Sequence, residues 1–229
     1  MSELSLLFVH SPLVGPSSMQ RLAVAAADEG HTVAVPDLTS IARAASPHLL
    51  YIQLAASAAP AADLPVFVVG HSGAGVFLPA IASAVENVGG VVFVDAVVPP
   101  RSGAHRTPQV LRTKLDEQTE GGLLRRWLEW WPNDAVAELL PDPADRVLLG
   151  ADMPRLPRSF YDVDVEVPNG WADGPCGYVR LSEVYESEAA EAKTRGWPTV
   201  ELDSTHFGTH TNPAQVLRAV LEITSSLES

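Results

Sequence analysis

Residues 66–82, VFVVGHSGAGVFLPAIA, set one serine among three glycines between two apolar runs. A serine in such a turn can simply cap the helix that follows. The order of the pieces asks for more. Residues 66–69 are β-branched or aromatic and lie between Pro65 and Gly70, as in a buried parallel strand, while the apolar positions of 73–85 suit a helix packed on a sheet. A strand that becomes a helix in so few residues forces the middle residue into a strained backbone and thrusts its side chain upward. Only glycine or alanine fits beside it, and here the flanks are Gly70, Gly73, Ala74 and Gly75. This is a G-x-S-x-G elbow with alanine in the last place, and its chemistry is nucleophilic attack by Ser72.

A serine hydroxyl attacks well only beside a base that takes its proton. His31 begins a strand-like run, His48 a helical one, and His105 sits in a polar loop. His10 ends the first strand-like run, and His71 lies inside the elbow, aimed away from Ser72. That leaves His206 in ELDSTHFGTHTNPAQV, a short loop after the last strand-like run and just before the last helix. His206 and His210 are four apart, yet no helical H-E-x-x-H surrounds them. Cys176 is the only cysteine, so neither an intrachain disulfide nor a cysteine metal cluster is available. No metal is expected.

The elements that must position these residues alternate. Strand-like runs fall at 4–9, 32–35, 66–69, 91–94, 178–181 and 199–202, with helical patterns at 17–29, 48–59, 73–86, 183–195 and 213–227. Such alternation calls for an α/β fold: an open, mostly parallel sheet of about six strands with helices on both faces. It breaks between 99 and 175, where GGLLRRWLEWWP reads as a helix with Trp127, Trp130 and Trp131 on one face. An insertion over the carboxyl ends of strands is placed to roof a pocket. The expected organisation is a core of 1–98 and 176–229 with a helical cap at 99–175, and a pocket wall drawn from His10, His71, Trp127 and Trp131.

A chain of 229 residues with 46% hydrophobic and 19% charged residues has ample material for one core. No apolar run reaches the ~20 residues of a membrane helix. The opening MSELSLLFVH lacks a basic start and a cleavage site, so the expectation is a cytoplasmic protein. A formal net charge of −13 disfavours nucleic acid and anionic membranes as partners. Basic residues do gather locally (Arg101, Arg106, Arg112, Lys114, Arg125 and Arg126), and they read as a solvated face, with attraction of an anionic substrate group as the alternative. The partner expected is a small-molecule substrate, with homo-oligomerisation left open.

Ser72 in GHSGAG and the late His206 in DSTHFGTHTNP resemble the α/β-hydrolase fold, whose order is serine, acid, histidine. With VFVDAVVP and the tryptophan-bearing insertion, the chain is most similar to the small esterases and hydroxynitrile lyases of that fold. The resemblance implies a Ser–His–acid site without metal or organic cofactor, on a sheet trimmed of the usual first antiparallel pair. It also implies an oxyanion hole built from Gly73 and a residue after the first strand. There FVHSPLVG places Ser11 where glycine is usual and Pro12, which has no N–H, at the donor position, leaving Leu13 as the nearest candidate.

The acid has two candidates. The commoner family position, after the strand that follows the cap, lies near Glu183, although Ser182 can cap a helix there and Glu183 can serve its dipole. Asp95 is a lone carboxylate amid GGVVFVDAVVPP, costly unless paired, and some α/β-hydrolases place their acid after this strand. Asp95 is the expected partner of His206, with Glu183 as the alternative. The expected activity is a serine hydrolase acting on an ester, thioester or lactone through an acyl-serine. The alternatives are a lyase or acyltransferase on the same site, or a ligand-binding homologue with little turnover.

Overall fold

The computed structural model describes residues 3–61 and 64–228. Six strands form the main sheet: β1 (Ser5–Val9), β2 (Thr32–Ala34), β3 (Val66–His71), β4 (Val88–Val94), β5 (Cys176–Arg180) and β6 (Thr199–Glu201). Their order is β6-β5-β4-β3-β1-β2, and every pairing is parallel. The register aligns Val9 with Gly70, His71 with Val94, and Val94 with Val179. The carboxyl ends of β1, β3, β4 and β5 therefore form one edge. The loops that leave it, with the loop after β6, carry the chemistry-bearing residues.

Side-chain alternation along the strands divides the core. Leu6, Phe8, Phe67, Val69, Val92 and Val94 face one side, where α1 (Ser17–Asp28) supplies Met19 and Leu22 and a C-terminal helix, Pro213–Leu227, supplies Val216, Leu217 and Val220. Leu7, Val9, Val68 and Phe93 face the other, against Tyr51 of α2 (Pro47–Ser57) and Leu78 and Ile81 of α3 (Leu78–Ala84). The helix expected over 73–86 starts late. Pro79 has no N–H to bond back to Gly75, so Ser72–Val76 is a 3₁₀ turn and the α-helix begins at Leu78.

Residues 99–175 hold α4 (Gln109–Glu117), α5 (Asn133–Leu139) and α6 (Pro143–Asp152), with short extended and 3₁₀ pieces between them. Leu115, Leu124, Trp130, Leu156 and Phe160 join the core on the α2–α3 side of the sheet. The helix expected at GGLLRRWLEWWP is not there. Gly121 and Gly122 both take positive φ, 59° and 81°, and fold Thr119–Glu120 back on Leu123–Leu124 as a hairpin. The Leu124 N–H then donates to Leu156 O at 2.8 Å and the Arg125 N–H to Gln118 O at 2.9 Å, so neither is left for an α-helical ladder. A single 3₁₀ turn, Trp127–Trp130, remains before Pro132. Trp130 is consequently buried with its indole N–H on Arg125 O, while Trp127 and Trp131 turn to each other with ring centroids 5.5 Å apart.

Candidate active site

Two non-glycine residues take positive φ among the described residues: Ser72 at 58° and Asp95 at 44°. Left-handed backbone is unfavourable for residues other than glycine, though less so for asparagine and aspartate, and such strain persists only where the surroundings impose it. At Ser72 the surroundings are the close packing of β3 and the following helix. A Cβ on Gly70 would sit 2.4 Å from Leu78 Cδ2, and one on Gly75 2.0 Å from the carbonyl oxygen of Val97. Gly75→Ala is expected to cost about 1–3 kcal/mol, because backbone cannot yield as a flexible side chain does. Unchanged chemical denaturation of that variant contradicts the tight turn. At Asp95 the turn is held from β5: Asp95 N–H donates to Val179 O at 2.7 Å, and the Tyr178 hydroxyl bonds both the N–H and the C=O of Ala96 at 3.0 and 2.9 Å.

The two strained residues meet through His206. Its Nε2 lies 3.1 Å from Ser72 Oγ and its Nδ1 2.7 Å from Asp95 Oδ2. Asp95 is fully buried. Its Oδ1 accepts from the Leu181 and Ser182 N–H groups at 2.8 and 2.9 Å, and Oδ2 also accepts from Ser182 Oγ at 2.6 Å. Burial alone pushes this carboxyl up, but the His206 and Ser182 hydrogen bonds outweigh it and hold Asp95 below the ordinary carboxylate range. Asp95 is thus an ionised acceptor, which puts the proton of a neutral imidazole on Nδ1 and leaves Nε2 free to accept from Ser72.

Glu183, the alternative acid, is exposed in the first turn of the 3₁₀ piece Glu183–Tyr185 and makes no contact with His206. Ser182 caps nothing there; its hydroxyl turns to Asp95 instead and donates to Oδ2. His10 and His71 are each only 1% exposed and stand behind the site rather than in an open wall. His10 Nδ1 donates to Ser11 O at 2.9 Å, its Nε2 accepts from Leu38 N–H at 3.1 Å, and its carbonyl accepts from the Tyr51 hydroxyl. His71 Nε2 donates to the His206 carbonyl at 2.8 Å, with burial, aided by the neighbouring His206, lowering its pKa to about 3. Both rings are neutral props for the loops that carry chemistry. Trp127 does reach the site, 6.2 Å from the His206 ring, whereas Trp131 is 38% exposed under Lys114 Nζ.

The loop after β1 lies over Gly73, whose added Cβ would come 3.0 Å from Ser11 Oγ and 3.5 Å from Pro12 Cδ. Ser11–Val14 is a turn closed by Val14 N–H on Ser11 O at 3.1 Å, and Leu13 N–H has no partner among the described residues. His210 separates from His206: its Nδ1 lies 3.2 Å from Ser17 O and its Nε2 3.1 Å from Asp145 Oδ1. Asp145 also binds Arg21, and Asp152 accepts from Ser17 N–H and Oγ at 2.9 and 2.8 Å, so α6 is tied to α1 behind the His206 loop.

Sequence reasoning missed Tyr185. Its ring stacks on His206 at 5.2 Å with an 8° tilt, and its hydroxyl lies 3.1 Å from Ser72 Oγ. The signal available was weak: an aromatic three residues past Ser182, in a stretch read as helix.

No helix among the described residues is long and apolar enough to cross a membrane. No curated protein matches by sequence. Several solved structures match over nearly their whole length. An extracellular alpha/beta-hydrolase from a Paenibacillus species, described as sharing structural and functional homology with tobacco salicylic acid binding protein 2, has a TM-score of 0.74 at 14% identity, over 96% of this chain and 98% of its own. Tomato methylketone synthase I gives 0.71 at 16%, over 99% and 100%. A pyrethroid hydrolase from Sphingobium faniae gives 0.66 at 15%, over 98% of each chain. At such identities these likenesses speak to the fold. A family model described as "Alpha/beta hydrolase family" matches residues 6–219. With that match over nearly the whole chain, and with a six-stranded parallel sheet carrying a strained serine at the end of β3, the protein belongs to the alpha/beta hydrolase family.

Proposed function

We propose that the protein is a serine hydrolase that cleaves an ester, thioester or lactone of a small, largely apolar substrate through an acyl-serine. One observation carries the reading: Ser72 Oγ, His206 and Asp95 form one hydrogen-bonded line, and an Asp95 that can only accept orients a neutral imidazole in the direction that attack requires. Ser72 Oγ bonds to the carbonyl carbon as its proton passes to His206 Nε2. Asp95 then faces an imidazolium, which its charge stabilises. The Gly73 N–H, with Leu13 N–H as second donor, stabilises the oxyanion. His206 returns the proton to the leaving group, and water repeats the sequence on the acyl-serine. Trp127, 6.2 Å from the imidazole, offers an apolar wall. This scheme asks for no metal or organic cofactor.

A fluorophosphonate probe followed by peptide mapping tests the reading. Stoichiometric label on Ser72, absent from Ser72→Ala, is the expected result. Folded protein that takes no label, or takes it elsewhere, overturns it.

The second reading rests on Pro12. Losing one oxyanion donor can cost about 10²–10³ in rate, and a lyase need not stabilise a tetrahedral oxyanion. A Ser72-dependent burst with p-nitrophenyl esters favours hydrolysis. No burst, together with cleavage of a cyanohydrin or transfer to an acyl acceptor, favours the alternative.

A further inference from the structure

The contact between Tyr185 and Ser72 has a direction, and the direction carries chemistry. Asp95 can only accept, so a neutral His206, the form that can act as a base, carries its proton on Nδ1 and accepts at Nε2. Ser72 therefore donates to His206 across 3.1 Å. Its oxygen has only lone pairs to offer Tyr185, so at 3.1 Å the phenol must be the donor. Burial raises the Tyr185 pKa well above the usual tyrosine value, so the donor stays protonated wherever the site works. Stacking on His206 holds the ring in place.

Resting on the serine-hydrolase reading, we propose that Tyr185 is a further catalytic residue, whose O–H adds a donor to an oxyanion site in which Pro12 supplies no amide. Around Ser72 Oγ three directions are taken, by Cβ, His206 Nε2 and the Tyr185 hydroxyl. Substrate carbon bonds along the fourth. Its three other substituents stagger between those directions. The leaving group belongs beside Nε2, which must protonate it. With the leaving group between Nε2 and Cβ, both remaining positions adjoin the Tyr185 hydroxyl, and the oxyanion takes one of them. As the Oγ–C bond forms, the Ser72 proton moves to His206 Nε2 and the carbonyl π pair goes to the substrate oxygen. Tyr185 keeps its proton and swings its hydrogen bond from Oγ to that oxygen. On collapse the C–O bond to the leaving group breaks, and His206 gives up the proton.

Tyr185→Phe tests this, because it removes the hydroxyl and leaves the stacked ring. The measurement is kcat/KM, which reports acylation, for aryl and alkyl esters of one acid, together with thermal unfolding and the rate of fluorophosphonate labelling at Ser72. The expected result is a loss of about 10²-fold, similar for both esters, with slower labelling and little change in melting temperature. A loss that grows as the leaving group becomes more basic overturns the assignment in favour of leaving-group assistance. Unchanged or faster turnover overturns it in favour of a phenol that merely covers the serine. If Phe unfolds the protein, Tyr185→Trp must still lose the same factor while labelling at Ser72, and full activity there also overturns it. Wild-type protein that neither labels at Ser72 nor cleaves any ester brings down the hydrolase reading itself. A labelled, active wild type with an unaffected Tyr185→Phe brings down only the role of Tyr185.

Discussion

Asp95→Asn is expected to lower kcat about 10⁴-fold while leaving the protein folded. The size of the effect follows from what each carboxylate oxygen does. Oδ1 accepts two backbone N–H groups, and an asparagine carbonyl can do the same. That choice puts the new NH₂ in the place of Oδ2, facing His206 Nδ1 at 2.7 Å. Two donors now oppose each other. The imidazole relieves the conflict by moving its proton to Nε2, where it can no longer accept from Ser72. The Ser182 hydroxyl, at 2.6 Å from Oδ2, need only rotate to accept instead of donate. The fold thus keeps its hydrogen bonds and the base loses its function. Glu183→Gln is the control: an exposed side chain without a partner in the site should leave kcat within about twofold. Near-full activity in Asp95→Asn, with loss in Glu183→Gln, reverses the assignment. Because the Asp95 pKa is depressed in the folded protein, its contribution to stability is complete above the unfolded carboxyl value. It fades as pH falls through the folded one. Asp95→Asn should therefore unfold with a flatter pH dependence on the acid side.

What could be read in the sequence, and what could not, divides by physical origin. The six strands and the helices between them follow from local periodicity, which the sheet and its two cores reinforce. Ser72 stands out because its turn from strand to helix is too short for a mere cap, and His206 because it follows the last strand with no bland role offered. Asp95 stands out because an isolated carboxylate in apolar sequence needs a partner. Ser182 shows where such reasoning stops. Its hydroxyl could cap a helix or bond Asp95, and only the positive φ at Asp95, set by contacts from β5, decides. Tyr185 is invisible for a similar reason, since its bond to Ser72 spans 113 positions in sequence. The tryptophan run fails differently. Its helical spacing is genuine, but a glycine pair ahead of it and pairing with Leu156 claim the backbone first. His10 ends a strand-like run and His71 lies inside the elbow, and sequence offers both as pocket wall. Place at a strand end says nothing of which way a buried ring turns.

Ser72→Ala and His206→Ala are each expected to lower kcat about 10⁶-fold, and the double variant is expected to lose no more than either alone. The equality matters more than the magnitude. If Ser72 attacks only when His206 takes its proton, removing either abolishes the same step, and the second removal has nothing left to cost. Two independent contributions multiply instead, and the double variant falls far below both. Residual rate in all three then comes from substrate binding and the backbone oxyanion donors, which none of the substitutions touches. Neither alanine should unfold the protein. Ser72 loses one hydroxyl, and the His71 bond is to the backbone carbonyl of residue 206, which alanine retains. The Asp95 carboxylate keeps its three donors from Leu181 and Ser182 when the imidazole is gone. The measurement is single-turnover hydrolysis of an activated ester with excess enzyme, so that trace wild-type protein shows as a separate fast phase. A His206→Ala variant within tenfold of wild type removes the base from the mechanism. A double variant whose loss is the product of the singles shows that Ser72 and His206 do not act as one unit.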